Sequence, residues 1–356
     1  MKTKVTVIGT VGIPANYGGF ETLVENLTKL SSSNIEYTII CSSKENKIKL
    51  TTHNNANLLY LPLKANGIQS IPYDILSMIL TARKSDILLV LGVSGCIFLP
   101  FLKIFSNVKI ITNIDGLEWK RNKWNYLAKR FLKLSEAIAV KYSDTIIADN
   151  QAIADYVTQN YNKKAAVIAY GGDHAILASK NVPNQFKDYY LTVCRIEPEN
   201  NLHVILDSFQ ENNMNLVIVG NWKTSNYGLD LYNRYNNSSN ITLLHPIYDH
   251  SELYALRKNC IGYIHGHSAG GTNPSLVEIM HFSKPIYAFD CIFNRYTTDN
   301  QILYFKNSSS LTDCLKKEKN ENFFSNEKCI LIKKIADERY SWEQIKNSYE
   351  ELYNEK

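Results

Sequence analysis

Residues 262–280 read GYIHGHSAGGTNPSLVEIM, which is an apolar strand, a glycine-rich turn and the start of a helix. Pro274 suits the first helical turn, where its missing N–H costs little. Thr272 or Asn273 can cap the helix with a side-chain oxygen. A strand that leads through glycines into a capped helix is the repeating unit of an open α/β sheet, so this stretch indicates the fold.

The same stretch carries chemistry. Backbone amides around Gly270 and Gly271 suit a diphosphate, and Glu278 can accept hydrogen bonds from two neighbouring hydroxyls of a sugar or ribose. The alternative is a well-capped helix with a solvated glutamate. His265 and His267 share one face of a strand, but no cysteine or carboxylate cluster accompanies them, so we expect no metal site here.

Short β-branched runs alternate with helical patterns along the whole chain. The runs are apolar at nearly every position, which is typical of parallel strands covered on both faces. This order predicts an α/β protein made of doubly wound sheets. The amphipathic helical stripes comprise Phe20, Leu23, Val24 and Leu27 near the start of the chain, and Leu127, Phe131, Leu134 and Ile138 further on.

A polar stretch at 178–187 interrupts this alternation, which then restarts. We therefore predict an N-terminal domain at 1–178 and a second domain at 188–330. Residues 331–356 form a helical tail that we expect to pack back on the first domain. Two α/β domains in tandem make the cleft between them the default ligand site.

A second glycine-rich loop follows the first predicted strand and includes Gly9, Gly12, Gly18 and Gly19. Glycines let a backbone approach a ligand closely, and the next helix offers free N–H groups to an anion. The spacing differs from the GxGxxG of dinucleotide folds, and the second strand ends in CSSK without a carboxylate for a ribose. Both features count against NAD. A tight turn without a ligand is the other interpretation.

Two polar side chains follow other predicted strands. Arg195 comes directly after a strand, where its fixed fork of donors suits a diphosphate, although a surface ion pair with Glu197 is the simpler alternative. Asp115 follows the strand at 108–112 and suits a sugar hydroxyl or proton transfer. A helix N-cap explains Asp115 equally well.

The net charge of +5 is concentrated, because residues 119–141 contain seven basic residues and one acidic one. Cations alternate there with aromatic residues, a pattern that suits the headgroup layer of an anionic membrane. No recognition motif for nucleic acid accompanies it, and a solvated basic helix remains the alternative. The candidate membrane patch comprises Lys120, Arg121, Lys123, Trp124, Lys129 and Arg130.

The chain has 356 residues, of which 45% are hydrophobic and 21% are charged, which excludes a disordered chain or a disulfide miniprotein. Seven scattered cysteines without a CxxC pair predict free, mostly buried thiols in a reducing cytosol. We see neither a targeting segment nor a transmembrane helix.

Three of these motifs together resemble the GT-B glycosyltransferases of family 4, and most closely the bacterial β-1,4-rhamnosyltransferases of polysaccharide assembly. They are IPANYGGFET at 13–22, DGLEWKR at 115–121 and GGTNPSLVE at 270–278. The resemblance spans nearly the whole chain. It implies two Rossmann-like doubly wound domains that face a central cleft.

The resemblance also implies roles for individual residues. Gly18 and Gly19 match the loop that approaches the donor diphosphate, Arg195 matches a phosphate-binding arginine, and Glu278 matches the second glutamate of a pair, which holds the nucleotide ribose. Two positions depart from the pattern: Gly270 replaces the first glutamate, and Asn200 replaces a lysine. The departures suit a 6-deoxy sugar. The implied donor site comprises Gly18, Gly19, Arg195, Asn200, Gly270, Gly271, Thr272, Asn273 and Glu278, with Asp115, Glu118 and His267 at the acceptor side of the cleft.

The implied activity is retaining transfer of L-rhamnose from dTDP-rhamnose to a saccharide on undecaprenyl diphosphate, in capsule or cell-wall synthesis. Asp115, Arg195 and Glu278 are the expected catalytic residues, and neither a metal nor another cofactor is expected. The expected location is cytoplasmic, on the inner face of the plasma membrane. The alternatives are a UDP- or GDP-sugar donor, a nucleotide-sugar-binding module without turnover, and a nucleotide-sugar 2-epimerase.

Overall fold

The structure, a computed structural model, describes residues 2–15, 18–121, 124–177 and 185–355. The chain forms two compact units. Unit 1 contains the residues up to Tyr170 together with those from Trp342 onward, and unit 2 runs from Gly171 to Ser341. Each unit has its own sheet of mainly parallel strands with helices between them, so the predicted α/β class with two doubly wound domains is confirmed.

The sheet of unit 1 has the strand order β3-β4-β2-β1-β5-β6-β7-β8 among the described residues. All neighbours are parallel except β3 and β4, which form a hairpin whose turn residues Asn54 and Asn55 both have positive φ. The strands are β1 (Thr3–Ile8), β2 (Ile35–Ser42), β3 (Thr52–His53), β4 (Ala56–Leu61), β5 (Ile87–Leu91), β6 (Lys109–Asn113), β7 (Thr145–Ala148) and β8 (Ala166–Val167).

One core of unit 1 joins its first and last helices. Leu23 and Val24 of the first helix and Trp342 and Tyr349 of the last are buried in the same cluster as the central strands, because their apolar stripes lie against the sheet. The helices of unit 1 are α1 (Gly19–Lys29), α2 (Ser70–Thr81), α3 (Leu99–Phe105), α4 (Tyr126–Tyr142), α5 (Gln151–Tyr161) and, from the end of the chain, α13 (Trp342–Asn354).

The sheet of unit 2 has the order β11-β10-β9-β12-β13-β14 and is parallel throughout its described strands. Its strands are β9 (Tyr189–Val193), β10 (Asn215–Val219), β11 (Ile241–Leu244), β12 (Gly262–His265), β13 (Ile286–Phe289) and β14 (Leu303–Phe305). Its helices are α6 (Leu202–Asn212), α7 (Asn226–Tyr235), α8 (His250–Asn259), α9 (Pro274–Met280), α10 (Ile292–Thr297), α11 (Ser308–Glu321) and α12 (Asn326–Arg339).

The units divide at other places than the predicted limits of 178 and 331. Tyr170 is buried in the core of unit 1, whereas the Gly172 N–H donates to the Tyr340 carbonyl within unit 2 at 2.7 Å. Of the predicted tail, α13 packs on α1, but α12 packs on α9 of unit 2. Polar composition shows where a chain is solvated, whereas membership of a unit depends on which core a segment joins.

The seven cysteines are all free thiols, five of them buried and two half-buried. No helix in the described part of the chain is both long and apolar enough to span a bilayer.

Candidate functional site

The strand order of unit 2 reverses between β9 and β12. From β9 the chain proceeds to β10 on one side, and β12 lies on the other side, parallel to β9. The loops that leave the carboxyl ends of these two strands diverge at this point, and ligands of open α/β sheets bind in such a crevice. The loops at 194–201 and 266–273 carry most of the predicted donor-site residues.

Side chains of Asn200 and its neighbours tie these two loops together. Oδ1 of Asn200 lies 2.9 Å from Nδ1 of His267, and its Nδ2 donates to the Arg195 carbonyl at 2.8 Å. The Ser268 N–H donates to the Glu199 carbonyl at 2.9 Å. Asn200 is buried, and its side-chain amide holds the loop that presents Arg195. His267 contributes to the same arrangement through its contact with Oδ1 of Asn200.

The Arg195 side chain is 53% exposed at the carboxyl end of β9. Its Nη1 lies 4.0 Å from Oε1 of Glu197, at the limit of an ion pair, and such exposed pairs contribute little to stability. The geometry is thus compatible with both interpretations of Arg195, the ion pair and the diphosphate contact. The guanidinium has a carboxylate neighbour, and it presents a planar fork of donors at the switch point.

The helix after β12 begins as its sequence predicts. Asn273 is the N-cap, and its Oδ1 accepts hydrogen bonds from the N–H of Ser275 at 3.0 Å and from its Oγ at 2.8 Å. Pro274 is the first helical residue. Gly270 has a φ of 88°, which favours glycine, and Thr272 is buried. The turn is thus fixed by its own sequence.

The carboxylate of Glu278 is largely shielded from solvent and is paired within unit 2. Its Oε2 forms an ion pair with Nη2 of Arg257 on α8, and its Oε1 lies 3.4 Å from Nε2 of His174. Burial raises the pKa of Glu278, but the charges of Arg257 and His174 outweigh it, and the pKa lies below its usual value. Glu278 is therefore an ionised acceptor held on two sides.

Neither Arg257 nor His174 was a sequence candidate. Arg257 has the pattern of a basic residue at a helix C-terminus, and His174 follows two glycines after β8. The two glycines were the sequence signal that the backbone before His174 approaches another element closely. A Cβ on Gly172 would lie 2.6 Å from the Val277 carbonyl carbon. The backbone before His174 thus packs directly on α9.

His265 is buried on β12, and within the described part of the chain its Nε2 has no hydrogen-bond partner. Burial, and then the nearby His267, lowers the pKa of His265 well below its usual value, so its ring is neutral. The two rings are 6.2 Å apart. Within the described residues no group of three or more histidine, cysteine, aspartate or glutamate side chains is placed to hold a metal ion.

In unit 1 the strand order reverses between β1 and β5, and the loop before α1 lies there. Oε1 of Glu21 accepts hydrogen bonds from the Val11 N–H at 2.8 Å and from Oγ1 of Thr10 at 2.9 Å. Gly18 has a φ of 127°, and Gly19 is the first residue of α1. A carboxylate of α1 thus accepts hydrogen bonds from two donors of this glycine-rich loop.

Asp115 lies just after β6 with a φ of 59°, and Oδ1 of Asn113 accepts its N–H at 2.9 Å. It is not a helix N-cap, since α4 is capped by Asn125, whose side chain accepts from the Ala128 N–H. The N-cap interpretation is therefore wrong. Asp115 remains a half-buried carboxylate at the carboxyl edge of the sheet.

The other predicted acceptor-side carboxylate, Glu118, is engaged locally. Nε1 of Trp124 donates to its Oε1 at 2.9 Å, and Nη1 of Arg121 lies 3.4 Å from its Oε2. Arg121 and Trp124 of the predicted membrane patch thus bind the Glu118 carboxylate within their own loop. Lys120 of the same patch is exposed. Lys123 lies outside the described residues.

Helix α4 exposes the stripe that its spacing predicts to be buried. Leu127 is 75% exposed and Leu134 is 53% exposed. The buried face includes Glu136, whose carboxylate accepts hydrogen bonds from Nε1 of Trp119 at 2.9 Å and from the hydroxyls of two tyrosines at 2.6 Å. The predicted helix is present, and its buried residues are Leu132, Ser135, Glu136, Ala139 and Val140.

A cavity of about 560 Å³ in unit 2 lies at the other edge of the sheet. It is lined by residues at the starts of strands, such as Asp188, Asn215 and Pro285. Because ligands of parallel sheets bind at the carboxyl edge, we do not place the candidate site there.

Comparison with known families divides the chain at nearly the same place as the structure. Residues 2–173 match a domain of unknown function, DUF1972, and residues 174–311 match the family described as glycosyl transferases group 1. No curated protein matches the chain.

Several solved structures share the fold along almost the full chain. Sucrose-phosphate synthase from Thermosynechococcus elongatus is 12% identical, with coverage of 99% of this chain and 98% of that chain and a TM-score of 0.83. Anabaena Alr3699/HepE in complex with UDP-glucose is 12% identical, with 98% of both chains covered and a TM-score of 0.75. S. aureus MnaA with UDP is 14% identical, with 99% and 97% covered and a TM-score of 0.65. The group 1 match over residues 174–311 supports a glycosyltransferase, and these structures support its GT-B fold.

Proposed function

We propose that this protein transfers L-rhamnose from dTDP-rhamnose to a saccharide carried on undecaprenyl diphosphate, with retention of configuration. The observation that carries the proposal lies in unit 2, which matches group 1 glycosyltransferases. There, an exposed guanidinium, Arg195, and an ionised carboxylate, Glu278, follow the two strands at the topological switch point. A cation for the diphosphate and an acceptor for the nucleotide's sugar are what a nucleotide-sugar donor requires.

In the proposed reaction, negative charge builds on the diphosphate as the bond to the sugar breaks. Arg195 stabilises this charge with donors that the Asn200 contacts hold in place. The N–H groups of Gly271 and Thr272 are further proposed donors. The acceptor hydroxyl attacks from the side that the diphosphate leaves, and a phosphate oxygen takes its proton. Asp115 is the proposed contact for an acceptor hydroxyl.

An anionic membrane surface is the proposed partner of α4 and its neighbour α3. The exposed apolar residues Leu127 and Leu134 lie on α4 beside the exposed Arg130. Helix α3 packs on α4 and exposes Ile104 and Phe105. Apolar side chains among cations suit the headgroup layer of an anionic bilayer, where the lipid-linked acceptor resides. The proposed location is the inner face of the plasma membrane.

The proposal is tested with the full-length protein and a panel of dTDP-, UDP- and GDP-sugars. A bound donor raises the melting temperature by mass action, so dTDP-rhamnose should give the largest shift. Transfer is then measured with that donor and lipid-diphosphate-linked saccharides. Arg195→Ala should lower kcat by about 100-fold or more, because it removes a donor to the developing charge.

Arg234→Ala is the matched control, since Arg234 is an exposed arginine of α7 paired with Asp207. It should leave transfer unchanged. Full activity of Arg195→Ala would refute the site. Donor binding without transfer to any acceptor would instead favour a binding module, and change of the donor itself without an acceptor would favour an epimerase.

A further inference from the structure

We propose that Arg257 and His174 restrict Glu278 to one hydroxyl of the nucleotide's sugar, so that the site prefers 2′-deoxyribose to ribose. The inference rests on the proposed function, in which Glu278 binds that sugar. It assigns a specificity role to two side chains that the proposed reaction does not use.

The contact between Arg257 and Glu278 is internal to unit 2. The Arg257 side chain is only 7% exposed, and its Nη2 pairs with Oε2 of Glu278. Its Nε is buried and has no hydrogen-bond partner among the residues that the structure describes, and the Glu278 carboxylate forms the ion pair with this buried guanidinium. A buried cation does not readily release its partner, because it would be left unpaired at low dielectric. Oε2 is therefore committed to the protein.

The other oxygen, Oε1, lies on the more open side. His174, whose side chain is partly exposed, places Nε2 3.4 Å from it. The backbone approach of Gly172 to Val277 and Glu278 fixes this spacing, since a single added Cβ would overlap the helix backbone. With the side chain of Glu278 only 15% exposed, little of the carboxylate remains for a ligand.

Counting acceptors gives the preference. A ribose has neighbouring 2′ and 3′ hydroxyls, and a free carboxylate accepts one from each with its two oxygens. A 2′-deoxyribose has only the 3′ hydroxyl, which the open side of Oε1 can accept. A 2′ hydroxyl would lose water near Oε2 without gaining an acceptor, and unpaired polar groups cost binding energy.

The test compares UDP with 2′-deoxy-UDP, which differ only in the 2′ hydroxyl, by calorimetric titration of the full-length protein. We expect the wild type to bind 2′-deoxy-UDP at least about threefold more tightly than UDP, because the 2′ hydroxyl loses water without gaining an acceptor. His174→Ala leaves both lone pairs of Oε1 open, so Oε1 can accept the 2′ hydroxyl as well as the 3′ hydroxyl, and UDP should gain about threefold or more relative to 2′-deoxy-UDP. Arg257→Lys, which keeps the charge but withdraws the planar fork, should shift the ratio in the same direction.

The matched controls are Arg234→Lys on α7 and His203→Ala on α6. His203 is an exposed histidine that contacts Tyr227, and Arg234 is an exposed arginine paired with Asp207. Neither should change the ratio, and circular dichroism checks that every variant folds. Wild-type binding of UDP as tight as that of 2′-deoxy-UDP, or tighter, would overturn the inference, as would an unchanged ratio in His174→Ala. Binding of neither nucleotide would overturn the proposed function itself, which distinguishes the two failures.

Discussion

Helices α1 and α4 have similar spacing of apolar residues, yet this apolar stripe is buried in α1 and partly exposed in α4. In α1 the stripe with Leu23 and Val24 is fully buried against the sheet and α13. In α4 the stripe with Leu127 and Leu134 faces outward, and the buried side carries Glu136. A helical period therefore identifies an apolar face but not the surface that covers it. The exposed stripe is the one that lies among cations.

The largest expected difference between the two helices is in core stability. Leu23→Ala should lower the free energy of unfolding by about 2–5 kcal/mol, because it leaves a cavity among fully buried side chains. Leu134→Ala should change it by less than about 0.5 kcal/mol, since the side chain is largely in water. Urea unfolding of both variants measures this, and equal losses would contradict the assignment of the two faces.

The buried glutamate of α4 gives the next effect. Glu136→Ala removes the acceptor of Trp119 and of the hydroxyls of Tyr156 and Tyr161. We expect a loss of about 1–3 kcal/mol, because these donors lose a charged partner. Glu338→Ala, at an exposed glutamate of α12, is the control and should be near neutral. A Glu136 variant as stable as wild type would mean that α4 is held by its apolar contacts alone.

Membrane binding should follow the exposed stripe. Leu127→Ser with Leu134→Ser, or Lys129→Glu with Arg130→Glu, should weaken binding to anionic liposomes about tenfold or more, since each cation near such a surface contributes about 1 kcal/mol. The control is Ile330→Ser with Leu331→Ser, two exposed apolar residues of α12 in unit 2. Sedimentation with vesicles measures the effect. Equal loss in the control pair would show that exposure of apolar residues, not this surface, drives binding.

A small pH effect is expected on α1. Burial raises the pKa of Glu25, but His53, the Ala15 N–H and Asn54 lower it more, and the net pKa is below its usual value. The unfolded chain therefore takes up this proton first, so the stabilisation is present above about pH 4 and is lost as the pH falls further. Glu25→Gln should reduce the loss of folding free energy between pH 6 and pH 3 by under about 1 kcal/mol, because solvent partly screens this group, which is 25% exposed. An unchanged pH profile between pH 3 and 6 would contradict this role.

Much of the fold followed from local patterns. The strand predicted at 108–112 lies at Lys109–Asn113 in the structure, displaced by one residue. The hairpin of β3 and β4 was not predicted, although its Asn54-Asn55 pair is typical of a two-residue turn with positive φ. The helix α7 was also missed, although its N-cap, Ser225, stands directly before it.

The candidate site was predictable only in part. Arg195 and the turn at 270–273 follow strands, so their place at the carboxyl edge of the sheet follows from the strand order. The partners of Glu278 did not follow from any spacing, because Arg257 and His174 belong to other elements of the chain. Asn200 fits a ligand contact in sequence, but the structure uses its amide to join two loops.

The sequence by itself determined the strands, the glycine turns and the capped start of α9, because each depends on the conformational preferences of adjacent residues. The tertiary structure decided which stripe of α4 is exposed and which cation holds Glu278. These outcomes depend on contacts between segments far apart in the chain, where the burial of charge and the pairing of polar groups outweigh local periodicity.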